Sequence, residues 1–320
     1  MNRKPLSVSQ KKDSARISGN TLHSPPLGAN NRGWIRGIAI RQSPHAASQS
    51  GRSNSVLARS LWYGNMRHLI MKIAPTVCLI TFLGVTSPAV GENPSKNLAV
   101  SPVLHPGTEK KHESFNKISK LGEAQLVFLG DSITAGWSGR GKDVWEKYWA
   151  PLKAVNFGIG GDRTEHILWR LQHGNYDGLK PKLTVLMIGT NNTGHQGRAM
   201  KEHNGAVYHS TARQTAEGVT AIVKLLKKKQ PQMKILLLAI FPRGADNNDP
   251  KRRQNQATNK LIAQLADDKT VWYMDINQAF LQPDGTLSKD IMPDLLHPNA
   301  AGYEIWTKAI MGKVRELMAD

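Results

Sequence analysis

Cysteine is nearly absent: Cys78 is the one thiol in 320 residues. That excludes an internal disulfide, and with no second cysteine there is no Cys cluster to hold a metal. The fold must therefore rest on its core alone. Residues 95–320 are enough for that, since a domain of this size buries roughly 70% of its surface. Acidic residues are scarce at one end of the chain. Positions 1–91 hold twelve of the 43 Lys and Arg but only one of the 24 Asp and Glu, Asp13. More than half of the formal net charge of +19 sits in that segment. A pI near 10.0 is thus no footprint of nucleic-acid binding by the remainder. The basic clusters beyond it, Lys227–Lys229 and Lys251–Arg253, are expected to be solvated helix ends. Long apolar runs are missing as well. The stretch Ile73–Val85 has thirteen residues, short of the about 20 that a membrane-spanning helix needs.

That stretch belongs to a recognisable arrangement. Met66, Arg67, His68 and Lys72 form a short basic region before it, and the small residues Ser87, Ala89 and Gly91 follow. This is the layout of a secretory signal peptide. Residues 66–91 are read so, or as an N-terminal membrane anchor if uncleaved, and export to a periplasmic or extracellular location is expected. Cys78 lies early in the apolar stretch, which argues against a lipoprotein cleavage site. A leader at position 66 has two explanations: synthesis starts at Met66 or Met71, or the basic region is unusually long. Residues 1–65, rich in Ser, Arg, Asn and Gly, read as a disordered basic segment. Residues 92–119 are read as a linker and 120–320 as one domain.

Within that domain strand and helix patterns alternate. Apolar runs occur at Leu126–Leu129, Val155–Ile159, Leu183–Ile188, Ile235–Ile240 and Val271–Ile276. Over 213–229, Val219, Ile222, Val223 and Leu226 share one helical face; near the C-terminus Tyr303, Trp306, Ile310, Val314 and Leu317 do the same. Five short buried strands alternating with helices predict a doubly wound α/β domain around a parallel sheet.

In open parallel sheets ligands bind at the carboxyl ends of the strands, and four polar stretches fall there. Gly130-Asp131-Ser132 follows the first strand, NFGIGGD (156–162) the second and GTNN (189–192) the third, while Asp294-Leu295-Leu296-His297 precedes the last helix. Together they supply what acyl transfer needs. A serine needs a base, which His297 can be, and the base needs an orienting carboxylate, which Asp294 can be. The tetrahedral intermediate needs donors; the N–H groups of Ser132 and Gly161 and the amide of Asn191 are the candidates. Each stretch also has a plainer reading. Ser132 can be a helix N-cap, with Asp131 shaping the turn. GIGG and GTNN can be ordinary turns, and His297 a satisfied loop histidine. Trp137, Trp145 and Trp149 are expected in the core or in a pocket wall. It is the combination, in this order and at these strand ends, that points to chemistry.

The same four blocks resemble those of the SGNH, or GDSL, serine hydrolases. NFGIGGDRTEHILWRL (156–171), GTNN, FPRG (241–244) and the D-x-x-H spacing are most similar to the platelet-activating factor acetylhydrolase 1B catalytic-subunit branch. The resemblance covers about residues 120–318. It implies a flavodoxin-like three-layer α/β/α fold with a five-stranded parallel sheet of order 2-1-3-4-5. It also implies Ser132, His297 and Asp294 as catalytic triad and Ser132, Gly161 and Asn191 as oxyanion donors, with no metal and no cofactor. Relatives form dimers, so a homodimer is a further implication. Two departures stand out. GTNN replaces the GxND of many relatives, and residues 195–214 look like an insertion beside the site, whose His195, His203 and His209 are read as surface residues. The expected activity is an exported serine esterase removing a short acyl group, first of all acetyl from a carbohydrate. The alternatives are a lipid esterase and a catalytically idle glycan-binding domain.

Overall fold

The computed structural model describes residues 96–319; the basic segment and the leader expected within 1–91 lie outside them. The core is a sheet of five parallel strands: β1 (Leu126–Gly130), β2 (Ala154–Gly158), β3 (Leu183–Met187), β6 (Lys234–Leu238) and β7 (Val271–Met274), in the order β2-β1-β3-β6-β7. Counted along the sheet alone this is the 2-1-3-4-5 order expected. Each strand lies within two residues of its apolar run at either end, because few other segments of the domain can fill a buried lane on both sides. β1 and β3 are buried along their whole length, whereas the edge strands β2 and β7 are half-exposed.

The side-chain period of two divides each strand between two cores. Val127 and Leu129 of β1 face α1 (Glu109–Leu121), α4 (Thr164–Gln172) and α6 (Ala212–Lys229). Leu126 and Phe128 face α3 (Lys142–Tyr148) and α8 (Ala300–Met318). α6 starts at a capping box: Thr211 Oγ1 accepts from Gln214 N, and Gln214 Oε1 from Thr211 N. α8 starts at Asn299, whose Oδ1 accepts from Gly302 N at 3.1 Å. Its buried face is the predicted one, Tyr303, Trp306, Ile310, Val314 and Leu317, each side chain worth roughly 1.5–3 kcal/mol of burial. Trp137 and Trp149 are fully buried with Trp306 around Phe128, ring centroids 5.0–6.1 Å away, so they are core.

Three expectations need correction. The segment read as a linker is folded from residue 97 on: Ala99 O accepts from Thr164 Oγ1 at 2.8 Å, and Phe115 of α1 stacks on Phe157 at 4.5 Å. Its apolar face is too sparse to stand out in sequence. Arg252 is not a solvated helix end but fully buried near the start of α7 (Pro250–Ile262), donating to the carbonyls of Arg243, Gly244 and Gly285. The insertion forms a two-stranded antiparallel hairpin, β4 (Ala199–Met200) and β5 (Ala206–Val207). His209 is exposed as expected, but His195 and His203 are half-buried and turned towards Arg163 and Glu165. Among the described residues no helix is long and apolar enough to cross a membrane.

Candidate active site

β1 carries the chain out of the sheet at Gly130, where a Cβ would run into the Thr134 side chain and the Met187 carbonyl; only glycine fits there. Asp131 then turns the chain, and its Oδ1 accepts from Ile133 N at 3.0 Å. The cap of the short helix α2 (Ser132–Ala135) is therefore Asp131, not Ser132. Ser132 is the first helical residue, its hydroxyl is free of capping, and its N–H is one of those a helix start leaves without an intrahelical partner.

The hydroxyl faces the loop before α8. Ser132 Oγ lies 2.9 Å from His297 Nε2, and His297 Nδ1 lies 2.6 Å from Asp294 Oδ2. Asp294 Oδ1 also accepts from the N–H groups of His297 (2.7 Å) and Leu296 (3.1 Å). Leu295, at φ 56°, makes the left-handed turn that sets the two side chains side by side. Partial burial of Asp294 favours its neutral form, but the hydrogen bonds and charge of His297 outweigh that and hold its carboxyl below the usual range. A carboxylate only accepts, so His297 Nδ1 carries the proton, and Nε2 is left to accept from Ser132. Ser132 and His297 are half-exposed, open to a ligand from the carboxyl end of the sheet.

Across from the histidine lies the loop after β2. A Cβ on Gly160 would stand 3.9 Å from Ser132 Cβ, which places this loop against the serine. Gly161 has φ +80°, a conformation that glycine adopts without strain, and its N–H donates to no described group. Asn191, in α5 (Thr190–Gly194) after β3, gives one amide hydrogen to Asp162 O at 3.0 Å and keeps the other. The structure thus gathers Ser132, Gly161, Asn191, Asp294 and His297 at one strand-end cluster.

Sequence reasoning did not anticipate what holds that loop. Asp162 is fully buried, with His105 Nδ1 2.8 Å from Oδ1 and Arg170 Nε 3.0 Å from Oδ2. Arg163, also buried, meets Glu165 Oε1 at 2.5 Å, His195 Nδ1 at 2.8 Å and Glu202 of the hairpin. Burial disfavours the Arg163 charge, but the Glu165 and Glu202 carboxylates reverse this and raise its pKa. Burial, then the Arg163 charge, push His195 down to about 4, so it is neutral at pH 7. The hydrogen bond from His166, with that from Arg163, holds the Glu202 carboxyl well below the usual range. Asp162 and Arg163 stand inside the quoted NFGIGGDR stretch; Glu202 and His203 lie among polar insertion residues with no period to mark them. His105, Asp162 and His166 also place three metal-ligand atoms within 4.8 Å. Those atoms are committed elsewhere: Asp162 binds Arg170 and His105, and His166 Nδ1 accepts Arg163 N–H at 3.1 Å. The donor set suits an internal network better than a cation.

Asp131 adds one more perturbed group. It is 1% exposed, and burial, with the Asp162 charge adding, pushes its pKa up to about 7.

Comparison with known proteins gives a consistent result. The family model described as "GDSL-like Lipase/Acylhydrolase family" matches residues 128–305. The human platelet-activating factor acetylhydrolase IB subunit alpha1 is 36% identical over 232 residues, 72% of this chain and 93% of that protein. The subunit alpha2 of Rattus norvegicus is 35% identical over 211 residues, 66% and 84% of the two chains. Among solved structures, a GDSL-like lipase of Bacteroides thetaiotaomicron superposes with a TM-score of 0.50 at 19% identity, covering 65% of this chain and 97% of that one. At that identity the last likeness speaks for the fold alone.

Proposed function

The chain belongs to the GDSL-like lipase/acylhydrolase family and is a serine hydrolase acting on ester bonds; from that premise we propose that Ser132, His297 and Asp294 are its catalytic triad and that it removes a short acyl group, acetyl first. The observation that carries this reading is the unbroken contact chain of 2.9 Å from Ser132 to His297 and 2.6 Å from His297 to Asp294. His297 Nε2 takes the proton as Ser132 Oγ attacks the ester carbonyl, and the imidazolium that forms is stabilised by Asp294. The N–H groups of Ser132 and Gly161 and the spare amide hydrogen of Asn191 receive the developing oxyanion. When the tetrahedral intermediate collapses, His297 returns the proton to the departing alcohol. Water, activated by the same imidazole, then frees the acid from the acyl-enzyme. No step calls for a metal or a cofactor.

For the alcohol half we propose a carbohydrate, the ester class an exported enzyme meets outside the cell; export through residues 66–91 is part of the same proposal. The second reading is a lipid ester, which the acetylhydrolase names of the curated relatives favour. A homodimer is proposed on resemblance alone, and light scattering of the purified chain tests it. Turnover of p-nitrophenyl acetate against the octanoate ester, by the full chain and by Ser132→Ala, tests the chemistry. Cleavage of acetate that Ser132→Ala abolishes is the expected result. A preference for octanoate moves the substrate towards lipids, and an active Ser132→Ala ends the triad proposal.

A further inference from the structure

An open cavity of about 320 Å³ lies between His105 and Pro106, ahead of α1, and the β4–β5 hairpin. It borders the candidate active site without containing the serine. His105 stands at the junction: a Cβ on Gly161 would lie 3.1 Å from its Cε1. The imidazole that lines the cavity therefore also packs against the proposed oxyanion donor. A short acyl group ends close to the serine, so whatever part of a substrate passes Gly161 and enters the cavity belongs to the alcohol half.

Both walls are held in place. His105 Nδ1 lies 2.8 Å from Asp162 Oδ1, and the ring stacks on His166 with centroids 4.4 Å apart. Its Nε2 has no partner among the described residues and keeps contact with solvent, the side chain being 22% exposed. Opposite, Arg198 and Lys201 flank β4. Both are exposed, and neither side chain forms a hydrogen bond or ion pair among the described residues. The hairpin that carries them is anchored: Tyr208 N donates to Arg198 O at 2.8 Å, and Glu202, next to Lys201, is bonded to Arg163.

The balance of charge in the lining decides the ligand. Its one acidic residue is Glu202, and that carboxylate is taken up by Arg163 and His166. Arg163 is in turn shared between Glu165 and Glu202. The charge left over for a ligand is that of Arg198 and Lys201. His195, also in the lining, registers the same field: besides burial, Arg163, Arg198, His166 and His105 all act to lower its pKa. Two unpaired cations over one cavity repel each other until an anion comes between them, and anionic oxygens make their strongest hydrogen bonds to such groups. We propose that this cavity binds an anionic oxygen group, carboxylate or phosphate, on the alcohol half of the ester. The inference rests on Ser132 being the nucleophile, and it assigns the 195–214 insertion a part in choosing the substrate.

Acetate release by the full chain tests it on two matched pairs: acetylated oligogalacturonate against its methyl ester, and 1,2-diacetylglycerol 3-phosphate against 1,2-diacetylglycerol. Within each pair only one member carries the anion, and the pair that shows a preference distinguishes a sugar carboxylate from a lipid-type phosphate. In at least one pair kcat/KM should be higher for the anionic member by about tenfold or more, the worth of one charge-assisted hydrogen bond. The preference should fade at high salt. In the double variant Arg198→Gln, Lys201→Gln the ratio should fall towards one. Both side chains are exposed and unpartnered, so Tm should hold, and the ratio within a pair cancels any general loss of turnover. Equal rates within both wild-type pairs, or a preference that survives the double variant, would overturn the proposal and leave the triad standing. A wild type inert towards all four esters and towards p-nitrophenyl acetate would overturn it together with the reading it rests on.

Discussion

Asp131→Asn should flatten the dependence of stability on pH on the acid side of neutrality while leaving the turn before Ser132 in place. The side chain is 1% exposed and its Oδ1 accepts from Ile133 N at 3.0 Å; an asparagine amide oxygen can accept the same bond. Burial, then the neighbouring Asp162 charge, raises its pKa from 3.8 to about 7, against the pull of Ile133 N–H and Arg243. The sign follows from linkage. Between those two values the folded protein keeps a proton that the unfolded chain has released, so stability falls as pH rises through the window. Above the folded value both states are ionised and the whole cost is present. Three pKa units correspond to about 4 kcal/mol, an upper bound because burial in the native state relaxes around a charge. Asparagine carries no such cost at any pH. In urea unfolding followed by tryptophan fluorescence, the stability difference between variant and wild type should grow in the variant's favour by up to about 2.5 kcal/mol between pH 5 and pH 8, the rest of the roughly 4 kcal/mol lying below pH 5. Comparing the two proteins at each pH cancels every other titrating group. An equal difference at both pH values, or a variant weaker near pH 8, would refute the reasoning.

Asn191→Ala should lower kcat on p-nitrophenyl acetate by about 100-fold or more with little change in KM if its amide is the transition-state donor proposed above; a change confined to KM would assign the amide to substrate binding instead. Glu165→Gln removes one carboxylate from the fully buried Arg163 and should cost about 3 kcal/mol, the lower end for breaking a buried pair, because Glu202 remains. Thermal denaturation reads this directly, and an unchanged Tm would show that Glu202 compensates alone.

What could be read from the sequence is what repeats. The five strands were legible because each is an apolar run between polar strand ends, and α6 and α8 because their buried residues recur at three and four. The site blocks were legible for a related reason: each falls where a strand stops, so Ser132, Asn191 and the residues around Gly161 are at predictable positions even before they are brought together. Asp294 and His297 needed only local geometry, a left-handed turn at Leu295, to face one another. The cap assignment was not legible. Asp131 and Ser132 are both good capping residues, and only the backbone shows that Asp131 takes the role and frees the serine.

What stayed hidden is the use of charge inside the domain. Composition treats every arginine as surface, yet Arg163, Arg170 and Arg252 are among the largest fully buried side chains. No period marks them, because their partners are carbonyls and carboxylates at irregular spacings, from Glu165 two residues from Arg163 to Glu202 in the insertion. The consequence for function is specific. Asp162 and Arg163 directly follow Gly161, and Asn191 is bonded to Asp162 O. Of the two oxyanion candidates outside the serine, Gly161 therefore sits on, and Asn191 is bonded to, a loop whose position is set by buried ion pairs. Glu202 joins that network from the 195–214 insertion, so a segment that looked like a surface addition is tied through Arg163 to the loop facing Ser132. An apolar anchor tolerates small shifts in any direction; a guanidinium held by two carboxylates does not. The same insertion that changes the surface beside the candidate active site is in this way part of what holds its proposed donors still.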